Sequence, residues 1–532
     1  MSNAAAARPG LLLVELMPDE PERQFRTTSY PFLLALAGRL HWRASWCALG
    51  VRYDPALRYA LEARDLGLLR AEVSRRRPRV VVFNERLRQD QWAALQAASR
   101  GARMVYCPID EGLHVLGEFA AREIFASSAA RPLAAVSLED LAPSFARRVL
   151  NRAPWAARPL IRVVAGTRCS YRSRVAENRA YRRLGLPMPA MGCAFCQAGA
   201  IPVESYVKDE VAFAARAVAA AVGARARAGV ETRFEFIGSA LWRRCDELIA
   251  ALVRLGVRGA ELGFMPRIDE LLEKKAALAR LLPQMAGPGL ALRLYGMGVE
   301  NFSPAENLRL NKGITAEQVR QAADFIVRAT ARWPDQFRYP YKHLSMILFT
   351  PWTTLRDLRL NVAGIGRCPL IHHAAALRGR LQLFPGRPIT RLAEKDGLLT
   401  RKSGERFYNS GCITRADKSE IPWRFAHPEV GVLWQLARRL SIDRPGRSVD
   451  GLPAEEPEAR AVAALLTSPP GLPPDPLPLF RRALAVVARR PRITSLAELL
   501  VALGGAVTGR GAGARPRSPR RRGSGPRSPV PA

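Results

Sequence analysis

The chain has 532 residues, 48% of them hydrophobic, and carries 82 Lys and Arg against 47 Asp and Glu, a formal net charge of +35. That length and apolar content exclude a disordered chain and point to roughly two to four domains, while the charge permits nucleic acid or another anionic partner without identifying one. The 8 scattered cysteines exclude a dense disulfide framework, and no apolar run reaches the ~18 residues that span a bilayer, so a cytoplasmic, non-exported protein without a transmembrane segment is expected.

In chain order, "GLLLVEL" (10 to 16) and "RVVVFN" (79 to 84) read as buried strands, with "GARMVYCPID" as a further one. Between them "YPFLLALAGRLHWRASWCALG" and "ALRYALEARDLGLLRAEVSRRRP" have helical spacing. This alternation predicts a Rossmann-like parallel domain over 9 to 125, then a linker over 126 to 157. A second series begins near 158. Its candidate strands are "PLIRVVAGT", "TRFEFIG", "RGAELGF", "LALRLYGMG", "KHLSMILFT" and "HHAAALRGRLQLFPG", separated by helical stretches such as "SALWRRCDELIAALVRLG" and "TAEQVRQAADFIVRATARW". Six β/α units over 158 to 386 suit a partial (β/α)6 barrel of the TIM type, whose chemistry belongs at the carboxyl ends of the strands. From 387 to 500 the pattern turns helical, and the Arg/Pro/Gly-rich residues 501 to 532 read as a disordered tail. The fold class is therefore α/β: a Rossmann-like sheet, a partial barrel and a helical carboxyl-terminal region.

Cys169 ends the first strand of the second series, and Cys193 and Cys196 in "MGCAFCQAG" lie on the loop that follows. Two thiolates cannot complete a four-ligand zinc or iron-sulfur site. Three thiolates with one open position suit a 4Fe-4S cluster, whereas a CxxC pair with ligands elsewhere suits zinc and leaves Cys169 an ordinary thiol. The set resembles the radical S-adenosylmethionine family, which carries CxxxCxxC with an aromatic before the last cysteine on the loop after the first barrel strand. Phe195 and Cys196 match the end of that pattern. The first interval is expanded to "SYRSRVAENRAYRRLGLPMPAMG", an excursion whose closure entropy grows only logarithmically with length.

The resemblance implies further roles. "GMGVENFSPAENLRLNKGIT" is similar to the family's segment after the fourth strand, making Glu300 the residue that receives the ribose or amino acid part of S-adenosylmethionine. "MILFTPWTTLRDLRLNV" is similar to the fifth-strand segment, with the backbone of Thr350 and Pro351 at the adenine, and "LQLFPGRPITRLAEKDGLL" to the barrel's close at Pro385 and Gly386. The family's Gly-Gly-Glu on the second strand is here Gly238-Ser239-Ala240, which keeps a backbone shape but lacks the glutamate. The implied activity is reductive cleavage of S-adenosylmethionine to a 5'-deoxyadenosyl radical that modifies an unactivated carbon of a peptide, lipid or natural-product precursor. An electron donor such as a flavodoxin or ferredoxin supplies the electron. A Rossmann-like domain ahead of the barrel also resembles cobalamin-dependent radical methylases. Their Asp-x-His-x-x-Gly motif is absent, since His41 lies in "GRLHWRAS". Cys412, in "NSGCITRADK", is a candidate hydrogen donor or substrate ligand, and His372, His373 and "RYPYKH" (338 to 343) are candidate proton-donor or anion-binding groups. From another class, a non-catalytic, metal-stabilised protein that binds nucleic acid through its basic surface fits the same composition.

Overall fold

A computed structural model describes residues 10–18, 25–27, 29–51, 53–54, 58–59, 61–85, 87–106, 148–151, 160–165, 169, 171–186, 190–196, 207–225, 232–237, 240–339, 344–400, 421–440, 457–466, 475–490 and 492–504. The amino-terminal part contains β1 (Gly10–Pro18), β2 (Phe25–Thr27), α1 (Ser29–Arg39), β3 (Arg43–Val51), the short hairpin β4 (Tyr53–Asp54) and β5 (Arg58–Tyr59), α2 (Ala63–Arg76), β6 (Val80–Phe83), α3 (Gln89–Ala98), β7 (Arg103–Tyr106) and β8 (Arg148–Val149). The second series runs β9 (Leu160–Val164), α4 (Glu210–Arg225), β10 (Thr232–Ile237), α5 (Ala240–Arg243), α6 (Cys245–Arg254), β11 (Ala260–Phe264), α7 (Ile268–Gln284), β12 (Ala291–Leu294), β13 (Met297–Glu300), α8 (Pro304–Arg309), α9 (Ala316–Arg332), β14 (Phe337–Arg338), β15 (Leu344–Met346) and α10 (Leu355–Arg367). Then come α11 (His373–Leu377), α12 (Pro388–Lys395), α13 (Pro428–Arg439), α14 (Pro457–Leu465), α15 (Leu477–Arg489) and α16 (Leu496–Ala502).

The first sheet has the order β7-β6-β1-β3-β8, and every pairing in it is parallel. Helices lie on both faces, which is why β1 is apolar without alternation. Leu11 and Leu13 pack with Leu33 and Leu36 of α1, while Leu12, Val14 and Leu16 pack with Leu69, Val73 and Leu95 of α2 and α3. Two expectations change here. "HWRASWCALG" forms β3 rather than helix, because its Trp, Cys and Leu side chains fill a central strand position beside β1. Arg148–Val149, read as linker, joins the sheet edge beside β3.

The second sheet has the order β14-β12-β11-β10-β9-β2, again with parallel pairings. Phe25–Thr27 leaves the first sheet and pairs with β9 of the second, with Phe25 opposite Leu160. Helix α1 follows at once and stacks Phe32 on Phe213 of α4 at 4.9 Å. One strand and one helix thus tie the two sheets through a continuous apolar core. The fourth predicted strand is broken into β12 and β13: β12 pairs with β14, which precedes the fifth predicted strand, and β13 pairs with β15, the part of the fifth that forms. The sixth predicted strand reduces to a parallel bridge between Phe349 and Arg380. The rest of "HHAAALRG" is α11, since an alanine run favours helix and the His372 side chain accepts the Ala375 N–H at 3.2 Å. His373 bonds Asp475 at 2.9 Å instead of starting a strand. No helix among the described residues is long and apolar enough to cross a membrane.

Strand alternation divides the second sheet's faces. Phe234, Phe236, Leu262, Phe264, Leu292 and Leu294 join the apolar core. The opposite parity carries a ladder of charge: Arg162 to Glu235 at 3.2 Å, Arg293 to Glu235 at 3.1 Å, Arg293 to Glu261 at 2.7 Å, Arg233 to Glu261 at 3.1 Å and Arg338 to Glu261 at 2.8 Å. Glu261 is held below the usual carboxylate range because its arginine partners outweigh the cost of its burial. Gly263 makes room for the ladder: a Cβ there would meet the Phe234 carbonyl at 2.5 Å and Arg293 Nη2 at 3.1 Å. Gly263→Ala is expected to lower stability by about 2 kcal/mol, read as an earlier urea midpoint; an unchanged midpoint would show that the sheet yields without cost.

Candidate functional site

Cys169 follows β9 at the carboxyl end of the second sheet, and the chain then makes the long excursion before Cys193. The base of that excursion is closed. Arg174 and Met191 form an antiparallel bridge, the Val175 N–H donates to the Ala190 carbonyl at 2.9 Å, and the Gly192 N–H donates to the Ser173 carbonyl at 2.9 Å. The excursion docks on the segment after β13. Asn178 donates to the Leu308 carbonyl at 2.7 Å and to Asn311 at 2.9 Å, Asn311 donates to the Gly192 carbonyl at 2.6 Å, and the Tyr181 hydroxyl donates to the Arg309 carbonyl. Val175 and Tyr181 are buried with Leu310, Trp352 and Leu383 in a core of their own. The CxxC turn is held from both sides: the Ala194 N–H donates to the Leu310 carbonyl at 2.9 Å, and the Ile389 N–H donates to the Ala194 carbonyl at 3.3 Å. Phe195 packs at the edge of that core.

The three thiols share one electrostatic neighbourhood, Cys196 acting on both Cys169 and Cys193, and Arg267 acting on the same two. Arg267 precedes α7, at the carboxyl side of β11, and is buried. Its Nη1 donates to Cys193 Sγ at 3.6 Å, its Nη2 to the Lys312 carbonyl at 2.8 Å and its Nε to Asp269 at 3.0 Å, and its guanidinium lies 3.8 Å from the centre of the Tyr171 ring. Burial pushes the Cys193 thiol up to about 11, against the opposing pull of Lys312 and Arg267. Burial raises Cys169 as well, again opposed by Arg267. Arg387 donates to the Cys196 carbonyl at 3.3 Å. Among the described residues no three His, Cys, Asp or Glu side chains gather tightly enough for a single metal ion. A cubane asks for a wider set, since each thiolate meets a different iron, and three thiols ringed by cations fit it in donor type and charge.

Glu300 ends β13 in the left-handed backbone region, with φ of 64°. It is buried and pairs with Lys312 Nζ at 2.9 Å. Burial works against the Lys312 charge, yet Glu300 and Cys193 together raise that ammonium above the usual range. Thr350 and Pro351 are buried and engaged within the protein. The Thr350 N–H donates to Thr353 at 2.8 Å, its hydroxyl donates to Glu306 at 2.6 Å, and the Pro351 carbonyl accepts from Ala426 at 2.8 Å. Gly238, Ser239 and Cys412 lie outside the described residues, as does most of "RYPYKH". His41 is at the amino end of β3, the far end from a ligand crevice. Sequence reasoning missed Arg267, Lys312 and Asn178. The first two carried a usable signal, since each follows a strand whose carboxyl end faces the site.

No protein-family model matches the chain, and no curated protein matches it. Crystal structures of two mutation variants of SsGBP match at 11% and 10% identity, covering 59% and 58% of this chain and 97% and 98% of theirs, with TM-scores of 0.16 and 0.15. At that similarity they carry no argument about fold or function.

Glu306 is fully buried on α8, between Arg309 at 2.7 Å and the Thr350 hydroxyl. Burial lifts its carboxyl from 4.5 to about 7, against the pull of Arg309 and Thr350. An acid raised in the folded state gives stability that is complete below pH 4.5 and lost as pH rises through about 7. Glu306→Gln should therefore gain on the parent chain by roughly 3 kcal/mol across that window in pH-dependent unfolding; parallel curves would show that the carboxyl is ionised throughout.

Proposed function

We propose that the chain is a radical S-adenosylmethionine enzyme whose cluster ligands are Cys169, Cys193 and Cys196. The carrying observation is the closed base of the excursion: pairing Ser173 with Gly192 returns the expanded interval beside its start, so a spacing unlike the family's is compatible with one three-thiol site. The order β9-β10-β11-β12 with parallel pairing, continued by β13 beside β15, supports reading the second sheet as a partial barrel with its chemistry at the carboxyl ends.

In this reading the 4Fe-4S cluster, when bound, supplies the electron that cleaves S-adenosylmethionine to a 5'-deoxyadenosyl radical. The protein's own contribution is position and charge. Arg267 and Lys312 favour the deprotonated thiols that a cluster requires. Glu300, its backbone in a region few glutamates adopt and its side chain paired with Lys312, offers a carboxylate at the fourth strand's end, where the resemblance assigns ribose or amino acid binding. The core around Tyr181 and Trp352 shields the loop from water on its outer side. Cobalamin-dependent methylation is the second reading, favoured by the doubly wound first sheet, whose strand order reverses beside β1, the place where sheets of this kind bind ligands. The substrate class and the electron donor stay as the resemblance implies.

Anaerobic reconstitution with iron and sulfide should load about four irons per chain and yield 5'-deoxyadenosine from S-adenosylmethionine under reduction. Cys169→Ala should lose both, and corrinoid retention would mark the second reading. Zinc without cluster or cleavage would overturn the proposal, and cleavage retained in Cys169→Ala would remove that residue from the ligand set.

A further inference from the structure

Away from the cysteines, α10 and α15 pack side by side and leave a trough of about 490 Å³ between them. Gly366, near the end of α10, sits against Leu477 and Arg481 at the start of α15, so the helices run antiparallel. The trough floor is apolar and shallow: Val362, Ala363, Leu484 and Ala485. Arginines stand at both ends, Arg367 with Arg481 at one and Arg359 with Arg489 at the other. On each helix the two arginines are about 12 Å apart along the axis. All four are exposed, and among the described residues none makes an ion pair or hydrogen bond. Unpaired arginines are common in this chain, as its net charge of +35 requires; what sets these four apart is their arrangement at both ends of an apolar floor.

We infer that this trough is a docking site for an acidic amphipathic helix of a partner protein. Small side chains along the floor allow a third helix to approach at ordinary interhelical distance, and the arginine pairs match carboxylates placed two turns apart on one face of that helix. Apolar residues between those carboxylates fill the floor. Among the described residues the lining holds no aromatic side chain on which a nucleic acid base could stack, which disfavours a single strand. The inference is independent of the reading of the cysteines, because none of the trough residues touches that site.

The test uses the full-length chain and a short fluorescent Ala/Leu helix with glutamates two turns apart on one face, followed by anisotropy. The control peptide has the same composition with its glutamates on opposite faces. The expected result is binding about ten-fold tighter than the control, weakened by salt and lost in the double variant Arg359→Glu with Arg481→Glu. Ala485→Leu, which fills the floor at an exposed position without changing charge, should also abolish binding, with circular dichroism confirming that both variants stay folded. Equal binding of the two peptides, no binding of either, or undiminished binding by Ala485→Leu would overturn the inference. So would competition by decanedioate or by a single-stranded oligonucleotide at concentrations equal to the helix, which would make the trough a site for a small diacid or for nucleic acid.

Discussion

The guanidinium of Arg267 is the point on which the candidate site turns. It is buried, and each of its attachments belongs to a different part of the chain: Cys193 on the loop after the first strand of the second series, Tyr171 on the approach to the excursion, and Lys312 after the fourth. A desolvated cation is costly unless it is matched, and Asp269 together with the Lys312 carbonyl provides that match. With the guanidinium fixed, the thiol of Cys193 has a permanent positive neighbour, and Lys312 is held where its ammonium meets Glu300. Loops at three strand ends are thereby kept in register by a planar group that cannot lose its charge.

The second sheet solves a related problem on a larger scale. Its outer face is built as an ordinary apolar surface for helices, while its other face sets Arg162, Arg233, Arg293 and Arg338 around Glu235 and Glu261. Such a face is a weak source of stability, because desolvation consumes much of the attraction. Its value is in register: a one-residue slip would carry every charge to the apolar side. Gly263 is what lets Arg293 cross a neighbouring strand to reach Glu235.

Strand and helix types were largely legible where a long periodic pattern met a burial requirement, as in β1, β6, β10, β11 and α9. They were misread where neighbours decided the outcome. "HWRASWCALG" has helical spacing but is a strand because β1 requires a partner on that side. "HHAAALRG" has the place of a strand in the second series, but its alanine run forms α11. The cysteine set could be picked out by residue type and by its place after a strand. Its supports could not: Asn178 and Asn311 act through single carbonyls in distant segments, and no local pattern encodes such pairings. The polar face of the second sheet was visible as alternation in "FEFIG" and "LALRLYG", though not the pairing among its charges.

The short strand Phe25–Thr27 carries a consequence for biosynthesis. It leaves the ribosome long before β9, the strand it must pair with, yet it sits between β1 and α1, which can fold at once with β3. The nascent chain therefore holds a strand edge open while much more sequence is made, together with the Phe32 face of α1 that later stacks on α4. Translation speed over the intervening residues, and any chaperone that covers an apolar helix face, thus bear on the yield of folded protein in a way the finished structure conceals.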